Sequence, residues 1–199
     1  MWEVAEVDSL RETLREKQVA IVGLGGLGSN IAVMLTRSGV GRLLLIDFDT
    51  VEASNLNRQH YLPRHIGMPK AEALAGQLKE IDPTVQLTVK QQRVTADNAA
   101  ELLQGWPLVC EAMDDPTSKA MLINALLPDP EKVIVAGSGM AGFGSANTIK
   151  TVRRMARLYV CGDGTSDMKK EKMLAPRVQI CAGHQANMIL RLLLGQQEP

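Results

Sequence analysis

Short apolar runs alternate along this chain with longer amphipathic stretches. Val19 to Val22, Leu43 to Ile46, Leu108 to Cys110 and Val133 to Ala136 have the length and continuity of strands buried on both faces. Between them the pattern turns helical. Leu10 to Lys17 predicts a charged helix, and Ile31, Val33, Met34 and Leu35 predict one that ends near Arg37. Pro69, followed by Ala71, Leu74, Ala75, Leu78 and Ile81, predicts another that stops at Asp82-Pro83. Val85 to Val89 alternates like a strand, Thr95 is placed to cap a helix through Leu103, and a further helix runs to Leu126. After a glycine-rich GSGMAGFGS segment, Thr148 to Val152 and Leu158 to Val160 read as later strands, and Gln179 to Leu194 as the last helix. Gly162 to Lys172 is polar and charged, which predicts an exposed, mobile loop within a crossover spanning 161–176.

This order predicts an α/β fold: a Rossmann-like, doubly wound, mainly parallel sheet with helices on both faces and a ligand crevice beyond the carboxyl ends of the strands. With 199 residues the chain can bury its own core, so 1–199 is read as one domain with an N-terminal helical segment at 1–17. Chemistry enters at the end of the first strand. Gly23, Gly25 and Gly28 form a GxGxxG turn: the first glycine allows the tight turn, the second a close approach of backbone to phosphate or ribose, the third helix-on-strand packing. Asp47 ends the second apolar run about twenty residues on, where a carboxylate binds a ribose hydroxyl.

Charge and composition narrow the classes of partner. The 22 basic and 22 acidic residues cancel, which gives no bulk attraction to nucleic acid or to an anionic membrane. No apolar run is long enough for a bilayer, and Met-Trp-Glu-Val lacks the regions of a signal peptide, so a cytoplasmic location is expected. Cys110, Cys161 and Cys181 are odd in number, scattered and without a CxxC pair; neither a disulfide framework nor a thiolate zinc site is expected.

Beyond Asp47 the sequence departs from an ordinary dinucleotide pattern. GLGGLGSN at 23–30, DFDTVEASNLNRQ at 47–59, IGMPKAEAL at 66–74, EAMDDPTSKA at 111–120 and the closing APRVQICAGHQANMILRLLLG together resemble the ThiF/MoeB/HesA family over nearly the whole chain. These are bacterial relatives of ubiquitin-activating enzymes, which adenylate the C-terminus of a small ubiquitin-fold protein. The resemblance implies ATP as substrate, with Gly23, Gly25, Gly26 and Gly28 at the nucleotide, Asp47 on ribose, and Asn55 and Arg58 at the phosphates. It implies Lys70 as a second phosphate cation and Asp114 as a magnesium ligand. Arg58 suits its role because a planar guanidinium makes paired bonds to phosphate oxygens and stays protonated. No general base is needed, since the attacking carboxylate is ionised at neutral pH.

The absent zinc pairs point to the shorter ThiF-like branch. That implies a homodimer that activates a ThiS-like sulfur carrier for thiamine thiazole synthesis, with a sulfur donor protein acting afterwards. Alternatives remain at this point: a relative acting on another ubiquitin-like carrier or a tRNA base, a nicotinamide-dependent oxidoreductase, or a nucleotide-binding scaffold without catalysis. The oxidoreductase would use the glycines and Asp47 but leave Arg58, Lys70 and Asp114 idle. Taken singly, those three could be ordinary surface charges. Cys161 opens the polar loop, and some relatives link a loop cysteine covalently to their carrier, so it is a candidate covalent thiol; reactivity would need an accessible thiolate. Asp49, Ser54, Asn57 and Asp115 are read as loop-fixing residues. His60, His65 and His184 lack paired ligand spacing. Only Arg11 and Arg15 precede the first strand, and neither sits in a copy of the segment by which family members supply an arginine across a dimer.

Overall fold

The computed structural model describes residues 4–199, with side chains from residue 9 onward. Seven strands form one sheet: β1 (Gln18–Val22), β2 (Arg42–Ile46), β3 (Gln86–Lys90), β4 (Leu108–Glu111), β5 (Val133–Gly137), β6 (Lys150–Met155) and β7 (Leu158–Gly162). Their order is β3-β2-β1-β4-β5-β7-β6, and all neighbours are parallel except the β6–β7 hairpin. Six helices accompany them among the described residues: α1 (Val4–Arg15), α2 (Gly26–Arg37), α3 (Lys70–Ile81), α4 (Ala99–Leu102), α5 (Pro116–Leu126) and α6 (Ala175–Leu193).

The strands are apolar on both sides because both sides are covered. Ile21, Leu43, Leu45, Cys110, Val135 and Tyr159 face a core shared with α2, α3 and α6, while Ala20, Val22, Leu44, Ile46, Val109 and Ile134 face one shared with α4 and α5. Successive side chains of a strand point to opposite faces, so each four- or five-residue run feeds two cores at once. Strand order reverses between β1 and β4, which opens a crevice above their carboxyl ends.

Local chemistry shifts several predicted boundaries. The helix expected from Thr95 to Leu103 is a single turn at Ala99–Leu102, because Thr95 does not cap it; the Thr95 amide instead donates to Asn98 Oδ1 at 2.8 Å. Residues 146–148 form a 3₁₀ turn under Ser145, so β6 starts at Lys150 rather than Thr148. β7 continues through Cys161 to Gly162, and α6 begins at Ala175 with Pro176 in its first turn, where a missing N–H costs nothing. The crossover loop is therefore shorter than 161–176, and its root is held. The Asp163 side chain is enclosed and ion-paired with Arg177 of α6, and Ser166 Oγ accepts from the Ala141 amide at 3.0 Å. Among the described residues no helix is long and apolar enough to cross a membrane.

Candidate active site

Every strand that ends at the crevice delivers a residue to one cavity of about 500 Å³. Val22 leads into Gly23, whose φ of +89° and 2.7 Å approach of a hypothetical Cβ to the Ala112 carbonyl leave no room for a side chain. Gly25 and Gly26 line the cavity. Gly28 does not: a Cβ there would fall 1.8 Å from the Gly23 carbonyl oxygen, so this glycine lets α2 pack on its own turn.

Asp47, 8% exposed, follows β2. One carboxylate oxygen accepts from the Leu24 amide at 2.6 Å and the other from the Asp49 amide at 2.9 Å. Burial pushes its pKa up from the ordinary value, against the pull of those two bonds and of Lys70. Each oxygen keeps a lone pair for a ligand hydroxyl. Lys70, 7% exposed, extends from the start of α3 to the Asp49 carboxylate at 3.0 Å, and both line the cavity. Asp49 thus has a second function beyond loop geometry.

Arg58 lines the cavity from the 55–61 turn, where its Nη1 donates to the Ser54 carbonyl and to Asn57 Oδ1. Its remaining guanidinium donors bond to no described residue. Asn55 lies outside the cavity lining. Its Oδ1 accepts from the Glu52 amide at 3.0 Å and caps the 3₁₀ turn at Ala53–Asn55. In this structure its side-chain oxygen shapes the turn that presents Arg58.

Asp114 stands exposed in the loop after β4 and lines the cavity, with no hydrogen-bond or ion-pair partner among the described residues. The loop around it is closed from both ends. Glu111, fully buried, accepts from the Met113 amide at 2.7 Å and binds Lys119 of α5 at 3.0 Å, while Asp115 caps α5 through the Ser118 amide. Burial raises the Glu111 pKa, and Lys119 works against that rise. The cavity lining includes Asp47, Asp49, Asp114, Asp115 and Asp167 as well as Arg58, Lys70, Arg93, Lys119 and Lys169, so its charged side chains balance and would leave the charge of a polyphosphate largely uncompensated. An exposed carboxylate without a partner among the described residues is the kind of oxygen ligand that magnesium accepts, and Asp114 is the residue that would offer it here.

Cys161 is corrected outright. It is fully buried within β7, its thiol contacts Thr151, and burial pushes its pKa up to about 11. It neither opens the loop nor lines the cavity. Arg15 binds Thr84 and Asp82, beside the beginning of β3 and away from the ligand end of the sheet.

Sequence reasoning missed Gln59, Lys119 and the Arg93 guanidinium stacked 3.6 Å over the Phe48 ring, all in the cavity wall. It also missed Ser29 and Asn30. These two polar residues interrupt the apolar face of α2 and are buried, and that interruption was the available signal.

Fold and cavity define a Rossmann-like α/β protein with its site at the switch point of strand order. The chain belongs to the ThiF family, whose model matches residues 1–199. It is similar to molybdopterin-synthase adenylyltransferase of Salmonella typhimurium, with 30% identity over 195 residues, 95% of this chain and 78% of that protein. It is also similar to ubiquitin-like modifier-activating enzyme 5 of Caenorhabditis elegans, with 48% identity over 84 residues; the match spans 42% of this chain and only 20% of that protein. Among solved structures it resembles E. coli tRNA N6-threonylcarbamoyladenosine dehydratase in complex with ATP, with a TM-score of 0.85, 23% identity, and 94% of this chain and 90% of that one covered.

Proposed function

We propose that the chain is an ATP- and magnesium-dependent adenylyltransferase acting on the C-terminal glycine carboxylate of a ThiS-like sulfur carrier protein. The observation that carries this reading is the meeting of Asp47, Arg58, Lys70 and Asp114 in one cavity beside the Gly25–Gly26 turn. Asp47 orients the ribose through its free lone pairs. The Arg58 fork and the Lys70 ammonium hold phosphate oxygens, and charge that grows on the α-phosphate and on departing pyrophosphate is met by these preorganised cations. Asp114 would hold magnesium, which supplies further charge neutralisation at the phosphates. The acceptor carboxylate attacks phosphorus, the bond to pyrophosphate breaks, and an acyl adenylate remains; sulfur from a donor protein would then displace AMP in thiamine thiazole synthesis. A homodimer in the cytoplasm completes the reading.

The fold likeness to a tRNA-modifying enzyme supports a second acceptor class. ATP–pyrophosphate exchange with magnesium, run with and without a ThiS-like carrier ending in Gly-Gly, separates the cases. Carrier-dependent exchange supports the proposal. Binding of ATP without exchange, in the presence of folded carrier, rejects this acceptor in favour of another or of a scaffold.

A further inference from the structure

Ser138 stands in the wall of two hollows. One is the cavity above the strand ends, and the other is a groove of about 330 Å³ on the β6–β7 hairpin. Alternate residues of β6, Lys150, Val152 and Arg154, line this groove together with Val160 and Gly162 of β7. Alternation places these side chains on one face of the sheet. α6 covers the opposite face, where Thr151 Oγ1 lies 3.0 Å from His184 Nδ1. The face that carries Lys150, Val152 and Arg154 is exposed.

Charge and apolar surface alternate along this groove. Arg153, turned the other way, pairs with Glu198 and lies over the Tyr159 ring, whereas Lys150 and Arg154 form no ion pair with any described residue. The carboxylate of the groove wall, Asp163, is engaged by Arg177 and leaves the two cations uncompensated. Between them Val152 is 38% exposed and stands in register with Val160. Charged side chains on an edge strand deter pairing between copies, but that role needs neither a groove nor a wall shared with the cavity.

We propose that the groove holds the acceptor's tail just before its terminal glycines, and that this tail is acidic, with two carboxylates four residues apart and an apolar residue midway. The proposal rests on the reading of the cavity as the place where a carrier's C-terminal carboxylate is adenylylated. A chain whose last residue reaches the nucleotide has to leave the cavity, and the wall at Ser138 opens that path into the groove. An extended segment repeats its facing side chains about every 6.8 Å, so alternate residues of the tail match Lys150, Val152 and Arg154 in step and in character. RNA fits less well: a phosphodiester has nothing to set on Val152 and Val160, and the groove lining holds no aromatic ring on which a base could stack.

Pyrophosphate exchange against the concentration of carriers that end in Gly-Gly and differ only in the preceding five residues tests this. A tail with Glu, Leu and Glu at alternate positions is compared with the same tail carrying Gln for Glu, on the wild type and on Lys150→Glu combined with Arg154→Glu. The wild type should show a KM about three- to tenfold lower for the acidic tail, the size expected of two exposed ion pairs, with kcat the same for both tails. The charge-reversed variant should lose that preference, and a tail with Lys for Glu should restore a low KM to it. Anisotropy of the labelled carriers should rank them identically by Kd without requiring turnover. Equal values for both tails in the wild type, or a preference that survives charge reversal, overturns the proposal. Should the reversed variant show no cooperative urea transition, Lys150→Gln with Arg154→Gln replaces it, and the preference should vanish there also. Absence of exchange with every carrier rejects the adenylylation reading; the groove assignment then stands only if anisotropy still shows acidic-tail binding that charge reversal abolishes, and falls otherwise. A single-stranded RNA that binds in place of the carriers and is lost on charge reversal would give the groove to RNA and overturn the proposal.

Discussion

Asp47 and the Leu24 amide meet at 2.6 Å, joining the end of β2 to the glycine turn after β1. The carboxylate therefore shapes the glycine turn as well as lining the cavity. An asparagine can offer its single oxygen to Leu24 or to Asp49, and its NH₂ then opposes the other amide. Asp47→Asn is expected to lose about 1.5–3 kcal/mol of stability, the cost of a hydrogen bond to a charged acceptor, and to weaken ATP binding. Urea denaturation and ATP titration of the same sample check both parts; a stable variant with poor ATP binding would limit Asp47 to ligand contact.

Glu111 and Lys119 brace the loop that carries Asp114. Lys119→Met leaves a fully buried carboxylate without its partner, which costs about 3–5 kcal/mol, whereas Glu111→Gln combined with Lys119→Met removes both charges and should recover much of that loss. A double-mutant cycle read by urea midpoints measures the coupling. Additive losses would show that the pair does not brace the loop.

Asp163 and Arg177 join the end of β7 to α6, and this pair makes stability depend on pH. Burial opposes ionisation of Asp163, but bonds from the Ser166 and Thr165 amides, from the Ser166 side chain, and the Arg177 charge outweigh it and hold the pKa below the ordinary aspartate value. Because the folded pKa is depressed, the unfolded chain binds more protons in that window. Stability is then fully present above about pH 4 and is lost as pH falls through the folded pKa. Asp163→Asn should be less stable at neutral pH and show a shallower acid loss. Urea midpoints from about pH 2.5 to 7 decide it; parallel curves would remove Asp163 from the acid response.

What was legible in the sequence was whatever depends on local pattern. The runs at β1, β2, β4 and β5 announced themselves because each is buried on both faces, and their order set the sheet. Asp47, Arg58, Lys70 and Asp114 were found because they end strands or lie in motifs, and all four line the cavity. Asn55 and Gly28 belong to the same motifs but serve the backbone there, a division that spacing does not reveal. Cys161 was misplaced because one more residue of strand pairing turned a loop mouth into a core position. The pairing of Glu111 with Lys119 and the orphaned amide of Gln59 arise only when separate segments meet, so no window of sequence contains them.

Burial sets the chemistry of the three thiols. All are free and buried, and burial lifts Cys161 to about 11 and Cys181, with the Cys161 thiol nearby, to about 12. At pH 8 the thiolate fraction is small and access is closed. Iodoacetamide should leave the native protein unmodified and label all three cysteines in urea, and Cys161→Ala should retain pyrophosphate exchange. Rapid labelling of Cys161 in the native state, or loss of exchange in a folded alanine variant, would restore it as a covalent thiol.

Asp114 separates fold from chemistry most cleanly, since its exposed carboxylate binds nothing else in the described chain. Asp114→Ala should unfold within about 0.5 kcal/mol of the wild type, as surface substitutions do. The same change removes the carboxylate that would hold magnesium against the phosphates, and exchange should fall by roughly 10²-fold or more, the loss typical of deleting one preorganised electrostatic group. Arg58→Lys tests the other half of the clamp: it keeps the charge but not the fork, so a severe loss is expected there also. Full exchange activity in folded Asp114→Ala would dismiss the metal role, because nothing else in that loop offers an unpaired carboxylate: Asp115 is committed to capping α5 and Glu111 to Lys119. If Asp114→Ala is inactive while Arg58→Lys turns over normally, charge at the phosphates matters and bidentate geometry does not.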